Sequence, residues 1–454
     1  MRSGAGTGMP SDEQVYRVPW KLAKPDDAPI TAGLILYWFP KDANEVRVSS
    51  MLFSRTLSLY SAQCVTMALA DAGTAIGQKF ANGDSLPVAV LAEPNGTIIG
   101  KAENKKGRLS VDTAEKLLET EMKRRESALK EQMESAKAKA KAGEKDAAIA
   151  EFRSLLDHKC LFPNVAKNAT KELKKLGVTD VAELPDAPIF EKSVSRAIDK
   201  KMRAGLRAEN NEQYEKAERL YAEAHRMDPA DPTPLRYLGE LQRHHTGDWD
   251  AARVTFNRIL AMPADPLSIA IALHGLGKMT IHDGEFIKGR DLMVQSTEVF
   301  PTALAYRNLA VYWNSEGDVP NTDKYLKLAH EMDPTDPYNL VFVAAFMADR
   351  GKGEESLKIA RENEKLLSAS YNLAAIYAQM GHREKALALL KRHFFEYERY
   401  QAVRAKEMME ARVDAVFVSL RNDPDFLALT AGADGKLPIP PVPARAMEQM
   451  NHRP

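Results

Sequence analysis

Hydrophobic residues in the second half of the chain recur at helical spacing within units of about 34 residues. A proline closes successive units at steps of 34, 38 and 33 residues, at Pro229, Pro263, Pro301 and Pro334. Segments 224–232 and 329–337 are identical at seven of nine positions. Since proline ends a helix and the period is short, this pattern predicts stacked helix–turn–helix hairpins.

Small residues occupy fixed positions when the units begin at Ile198, Pro232, Ala270, Ala303, Pro337 and Leu367. Position eight is Gly205, Gly239, Gly277, Ala310, Ala344 and Ala374. Position twenty is Ala217, Ala251, Gly289, Thr322, Ser356 and Ala386, and the turn carries Gly284, Gly317, Gly351 and Gly381. This phase resembles the tetratricopeptide repeat (TPR) family over residues 198–395. The resemblance implies an all-α superhelix of about six hairpins at 190–398. Four extra residues before unit three (266–269) and a short unit five depart from the family pattern.

The TPR resemblance also implies which residues face the concave side, namely positions two, five, nine, twelve and thirteen of each first helix. The candidate partner-binding residues are Arg236, Arg243, His274, Lys278, Arg307, Asn308 and Asn314. A basic stripe of this kind is expected to pair with acidic side chains, or with the C-terminal carboxylate of an extended peptide. Glu240 dilutes the positive charge, and a merely solvated charged face is the alternative.

The N-terminal third changes to a strand pattern. Apolar runs at 33–39 and 64–70 predict buried strands around a helix at 48–60, and 87–91 with 97–100 predict a hairpin. This order resembles the thioredoxin fold over residues 17–122, with Leu86-Pro87 in the place of that family's cis-proline. Residues 38–44 hold no dithiol, so we expect a docking or structural module rather than an oxidoreductase.

Between these regions, residues 111–185 predict a linker. Residues 111–141 read as one solvated helix of about 45 Å, with an apolar seam at Leu118, Met122, Leu129 and Met133. A helical pair is expected to follow at 146–156 and 165–176, with a degenerate repeat as one interpretation of it. A capping helix is predicted in the region 399–430, and residues 399–420 of it have the pattern of one amphipathic helix. Residues 1–16 and the Pro-rich 431–454 read as disordered tails. The predicted fold class is a multidomain α+β protein: an N-terminal α/β thioredoxin-like domain, a long linker helix and a C-terminal TPR superhelix.

Charge and cysteine content narrow the function classes. Lys+Arg and Asp+Glu both number 63 in 454 residues, so no net field favours nucleic acid or anionic lipid. Cys64 and Cys160 are expected to be reduced thiols, with Cys64 buried in a strand. No leader or membrane-spanning run is visible in the sequence, which makes the cytoplasm the expected location, or the periplasm if a leader was removed.

No catalytic, cofactor-binding or metal-ligating constellation is found in the sequence. Adjacent His244 and His245 point to different helix faces, with no carboxylate or cysteine cluster beside them. The sequence therefore predicts a non-enzymatic adaptor that binds a peptide or protein on the concave TPR surface. The open alternatives are a thiol-dependent redox or chaperone-like protein using Cys64 or Cys160, and a homo-oligomer formed through exposed repeat ends.

Overall fold

A computed structural model describes residues 15–24, 27–348, 350–398 and 401–431. The predicted tails lie largely outside these residues, at 1–14 and 432–454. Val15 and Tyr16 differ from the tail expectation, because both are buried and belong to the core of the first hairpins. The Tyr16 hydroxyl donates to Asp231 at 2.9 Å, which ties the start of the described chain to the repeats.

The N-terminal region contains a five-stranded mixed sheet in the order β1-β3-β2-β4-β5. The strands are β1 Lys21–Leu22, β2 Leu34–Phe39, β3 Val65–Leu69, β4 Val88–Ala92 and β5 Ile98–Glu103. β3 runs parallel to β1 and β2, whereas β4 is antiparallel to both β2 and β5. The Leu86-Pro87 peptide bond immediately before β4 is cis. The predicted strands and hairpin are thus present.

Three short helices accompany the sheet, and the first two correct the single helix expected at 48–60. They are α1 Ala43–Val48, α2 Arg55–Ser61 and α3 Ala75–Phe80, with a 3-10 turn at Ser50–Leu52. The side chain of Ser49 caps the 3-10 turn and that of Ser54 caps α2. Because a capping serine has an extended backbone, two such residues divide the run into separate helices.

The linker forms three helices: α4 Val111–Lys141, α5 Lys145–Leu156 and α6 Pro163–Lys175. The predicted apolar seam of α4 is confirmed, since Leu118, Met122, Leu129 and Met133 are all buried. These side chains share one core with a face of the sheet and with α5 and α6. The linker is therefore packed onto the sheet rather than being a solvated spacer.

The cysteine prediction is wrong. Cys64 and Cys160 form a disulfide with a Cα–Cα distance of 5.8 Å, so neither is a free thiol. Cys64 lies just before β3 with φ +58° instead of inside the strand, and Cys160 lies in the turn after α5. The two residues are 96 positions apart, and only the packing of the linker against the sheet brings them together.

Six helical hairpins follow and form a TPR-like helical repeat. Hairpins 1 to 3 are α7 Lys192–Asn210 with α8 Tyr214–Met227, α9 Pro232–Leu241 with α10 Trp249–Leu260, and α11 Pro266–His282 with α12 Phe286–Val299. Hairpins 4 to 6 are α13 Ala303–Ser315 with α14 Val319–Met332, α15 Pro337–Met347 with α16 Gly353–Glu362, and α17 Ser370–Gln379 with α18 Arg383–Arg392. π-helical turns at Gln242–Thr246 and His393–Tyr397 extend α9 and α18.

Close packing explains the small residues of the repeat pattern. A Cβ atom added to Gly239 of α9 would lie 2.5 Å from Cε1 of Phe256 in α10, so only glycine admits that ring. The predicted turn glycines all have positive φ, between 74° and 88°, which side chains rarely adopt. The four extra residues before unit three form the first turn of α11, capped by Asp265. The short unit five has only a ten-residue second helix, α16, followed by a 3-10 turn at Leu367–Ala369.

The predicted capping helix is divided into two helices, α19 Gln401–Val413 and α20 Pro424–Thr430, with a 3-10 turn at Ala415–Leu420 between them. Asp414 and Asp423 cap the segments that follow them, which breaks the run expected as one helix. Met408, Phe417 and Phe426 pack into the core of the last hairpins, so this region does cover the end of the array.

Candidate functional site

A cavity of about 700 Å³ lies along the array, lined mainly by the first helices of hairpins 2 to 6 and by α19. Five of the seven predicted residues line it: Arg243, Lys278, Arg307, Asn308 and Asn314. Its size falls within the usual range for sites that hold small molecules or short peptide segments. The predicted face of the repeat therefore does border a cavity.

Arg236 and His274 are not among the residues that line this cavity. Arg236 is 7% exposed, and its guanidinium lies over the ring of Tyr237 at 5.5 Å. His274 is 1% exposed and shares a 2.7 Å hydrogen bond with Asn308. Burial, together with Arg243, lowers the pKa of His274 to about 3, so the ring is neutral at pH 7. The basic stripe expected at position five thus has only Arg307 at the cavity.

Arg243 is neutralised by a residue of its own helical segment. Its Nε and Nη2 atoms both donate to the carboxylate of Glu240 at 3.1 Å, and both side chains are buried. Although burial alone would raise the pKa of Glu240, Arg243 holds it down at about 2. The bidentate pair leaves little of this positive charge for a ligand.

Lys278 is neutralised by a residue of α19. Its Nζ atom lies 2.7 Å from Oε1 of Glu410 in α19. His282 contacts the same carboxylate oxygen. Burial opposes ionisation of Glu410, but Lys278 and His282 hold its pKa well below the ordinary value. Glu410 is an acidic partner for the stripe that repeat-based reasoning on the sequence did not find.

Arg307 is held by aromatic rings as well as by a hydrogen bond. Its guanidinium lies 4.9 Å from the ring centre of Tyr338 and 5.8 Å from that of Phe342, and Nη1 donates to Asn339 at 3.3 Å. Its neighbour along the cavity wall, Asn314, makes no side-chain hydrogen bond with any part of the chain that the structure describes. Asn314 therefore has a donor and an acceptor available for a ligand.

The cavity as a whole is aromatic and nearly neutral in charge. Its cations Arg243, Lys278, Arg307 and Lys406 are matched by Glu240, Glu407, Glu410 and Asp414. Aromatic rings contribute much of the wall, including Trp249, Tyr338, Phe342 and Tyr371. The arrangement favours apolar side chains with a few hydrogen-bonding groups over a strongly acidic ligand.

α19 also contacts the second hairpin. The Lys406 ammonium lies 3.3 Å from the ring centre of Trp249 and donates to the carbonyl of Gly247 at 3.3 Å. Burial, with Arg253 nearby, lowers the pKa of Lys406 to about 8. Heptad or repeat patterns give no signal for this contact, because it joins segments 157 or more residues apart.

A second site that sequence reasoning missed joins the sheet region to the first repeats. Arg55 of α2 is 8% exposed, and it donates from Nη2 to Asp228 at 2.6 Å and from Nε to Asp231 at 3.0 Å. Both aspartates belong to the segment that is nearly duplicated at 329–337. The duplication is visible in the sequence. The sequence gives no sign, however, that Asp228 and Asp231 bind Arg55, a contact that we call the arginine clamp.

Within the described residues, no group of three or more histidine, cysteine, aspartate or glutamate side chains is placed to hold a metal ion. His244 and His245 therefore do not belong to such a group. In the same part of the chain, no helix combines the length and apolar character needed to cross a bilayer.

Comparison with known proteins shows a distant similarity. No protein-family model matches the chain. The chain is 26% identical over 235 residues to the Protein CTR9 homolog of Arabidopsis thaliana, and the matched region covers 40% of this chain. The similarity spans 21% of the length of that plant protein.

Proposed function

We propose that this protein is a non-enzymatic adaptor that binds a peptide or protein segment on the concave surface of its helical repeats. The observation that carries the proposal is the cavity of about 700 Å³ along the first helices of hairpins 2 to 6. Stacked hairpins create extended concave surfaces that suit a chain-like ligand.

Because the charged residues of the cavity balance one another, we propose a different class of ligand from the acidic peptide expected from the sequence. Arg243 and Lys278 already have carboxylate partners within the chain. We therefore propose a segment that places apolar or aromatic side chains against the rings of the cavity and hydrogen-bonds to the amides of Asn308 and Asn314. Arg307 completes the polar contacts, and Arg236 and His274 act as buried supports.

Selection of random peptides on the full chain, followed by calorimetry on the selected peptides, tests this proposal. Asn314→Trp places a large ring in the cavity and is expected to weaken binding at least tenfold. Val254→Trp is a matched control on an exposed side chain of α10 outside the cavity lining, and should change little. Equal affinities for both variants and the parent would contradict binding in the cavity.

For the sheet region we propose a thioredoxin-like domain that serves as a docking module. The strand order β1-β3-β2-β4-β5, with a parallel central pair and an antiparallel last hairpin, supports this assignment. Residues 38–44 contain no cysteine, which supports a structural rather than a thiol-exchange role.

The thiol-dependent alternative has no support, because Cys64 and Cys160 are joined to each other. Disulfides persist mainly in oxidising compartments. We therefore propose the periplasm, or another oxidising compartment, over the cytoplasm. Alkylation of the protein taken directly from its source, before and after reduction, tests this: labelling of both cysteines without reductant would contradict it.

A further inference from the structure

In a stacked helical repeat each hairpin normally contacts only its neighbours. α19 departs from this rule because it joins the end of the array to hairpins 2 and 3. At the C-terminal end, Glu407 of α19 contacts His393 at 2.9 Å, and Asp414 accepts from Tyr371 at 3.1 Å. Both partners belong to hairpin 6 or the turn that extends it.

On the other side of the cavity, α19 lies beside the Gln242–Thr246 turn and reaches hairpins 2 and 3. Lys406 contacts Trp249 and the Gly247 carbonyl, and Glu410 contacts Lys278 and His282. Lys406 and Glu410 are four residues apart and so lie on one face of the helix. Both side chains line the cavity, and no residue of α19 that the structure describes belongs to the apolar core of hairpins 1 to 3.

The two sides of α19 differ in how strongly they are held. Met408 and Ala411 are fully buried in the core of the last hairpins, together with Phe417 and Phe426. The Lys278 and Glu410 side chains, in contrast, are 27% and 28% exposed. Partly exposed ion pairs contribute far less to stability than a buried apolar face. The contacts to hairpins 2 and 3 are therefore the weaker attachment.

We propose that Lys406 and Glu410 of α19 form a clasp that holds the concave groove closed, and that release of the clasp admits the ligand. This inference rests on the proposed function of the groove, whose accessibility it regulates. On release, α19 stays with hairpin 6 while the array opens between hairpins 3 and 6.

Hydrogen–deuterium exchange on the full chain without ligand tests the clasp directly. In Lys406→Met/Glu410→Gln, amides of 242–250 and 401–413 are expected to exchange at least fivefold faster, whereas 415–430 keep their protection. Glu223→Gln is the matched control, because it removes a 2.6 Å ion pair to Lys201 inside hairpin 1. Unchanged exchange at 242–250 and 401–413 would overturn the proposal, as would equal acceleration throughout the array.

Exchanging the two charges of the ion pair distinguishes loss of the clasp from misfolding of the variant. Lys278→Glu alone is expected to open the clasp, and Lys278→Glu/Glu410→Lys is expected to restore slow exchange. Failure to restore slow exchange would overturn the proposal.

Binding of the peptides selected on the full chain distinguishes the clasp from the adaptor function. Faster association with the open variant supports the clasp, whereas peptide binding that is unaffected by opening contradicts the clasp and leaves the adaptor function standing. Faster exchange without any peptide binding supports the clasp and contradicts the adaptor.

Discussion

Glu410 of α19 lies 2.7 Å from Lys278 of the third hairpin, and both side chains line the cavity. Lys278 was expected to bind an acidic group of a ligand, but Glu410 of the same chain already binds it. The same relationship holds for Arg243 and Glu240. The polar face of the repeat is therefore largely satisfied within the molecule, and apolar contacts must carry more of the binding free energy of a ligand.

The arginine clamp between the sheet region and the repeats should dominate the stability of that junction. Arg55→Ala leaves Asp228 and Asp231 buried without their cation, which typically costs about 3–5 kcal/mol. Urea unfolding measures the loss. Arg253→Ala, which removes an exposed contact to Asp283 at 2.6 Å, should cost no more than about 1 kcal/mol. Equal effects of the two substitutions would argue against a clamp.

The disulfide should stabilise the N-terminal half by restricting its unfolded state. For a loop closed over 96 positions, chain entropy predicts about 4.7 kcal/mol. Urea unfolding with and without a reducing agent measures this difference. The Cys64→Ser/Cys160→Ser variant should match the reduced parent and show no response to reductant; an unchanged midpoint in the reduced parent would contradict the expectation.

The contact between Gly239 and Phe256 predicts a specific packing defect. Gly239→Ala forces a methyl group against the ring, at an expected cost of about 1–3 kcal/mol. Thermal unfolding of the single variant and of Gly239→Ala/Phe256→Leu measures this. The second substitution makes room for the methyl group, so the two changes should be less than additive. Full additivity would show that the ring is not the cause.

Glu240 predicts an acid-dependent term in stability. Its pKa is lowered to about 2 in the folded protein, because Arg243 outweighs the effect of burial. A lowered folded-state pKa stabilises the fold above the ordinary carboxyl pKa of about 4.3, and this contribution is lost as the pH falls toward 2. Glu240→Gln should therefore be less stable than the parent at pH 7, and the difference should shrink between pH 4.5 and 2. Urea unfolding at several pH values checks this, and a constant difference would contradict it.

Local sequence patterns were sufficient for the repeat array and the long helix. The proline period, the small residues at positions eight and twenty, and the turn glycines reflect constraints within one hairpin, so they can be read along the chain. The apolar seam of α4 is legible for the same reason, since residues three and four apart share a helix face.

Long-range contacts were not available from the sequence. The pairing of Cys64 with Cys160, the clamp of Arg55 on Asp228 and Asp231, and the contact of Glu410 with Lys278 each join segments roughly a hundred or more residues apart. No local periodicity records which distant segments meet, because that depends on how whole elements pack. The sequence by itself determined the phase of the repeat, and five of the seven residues expected on its concave face line the cavity. Only the tertiary structure decided that the charges on this face are matched from within, because burial selects partners that linear spacing does not encode.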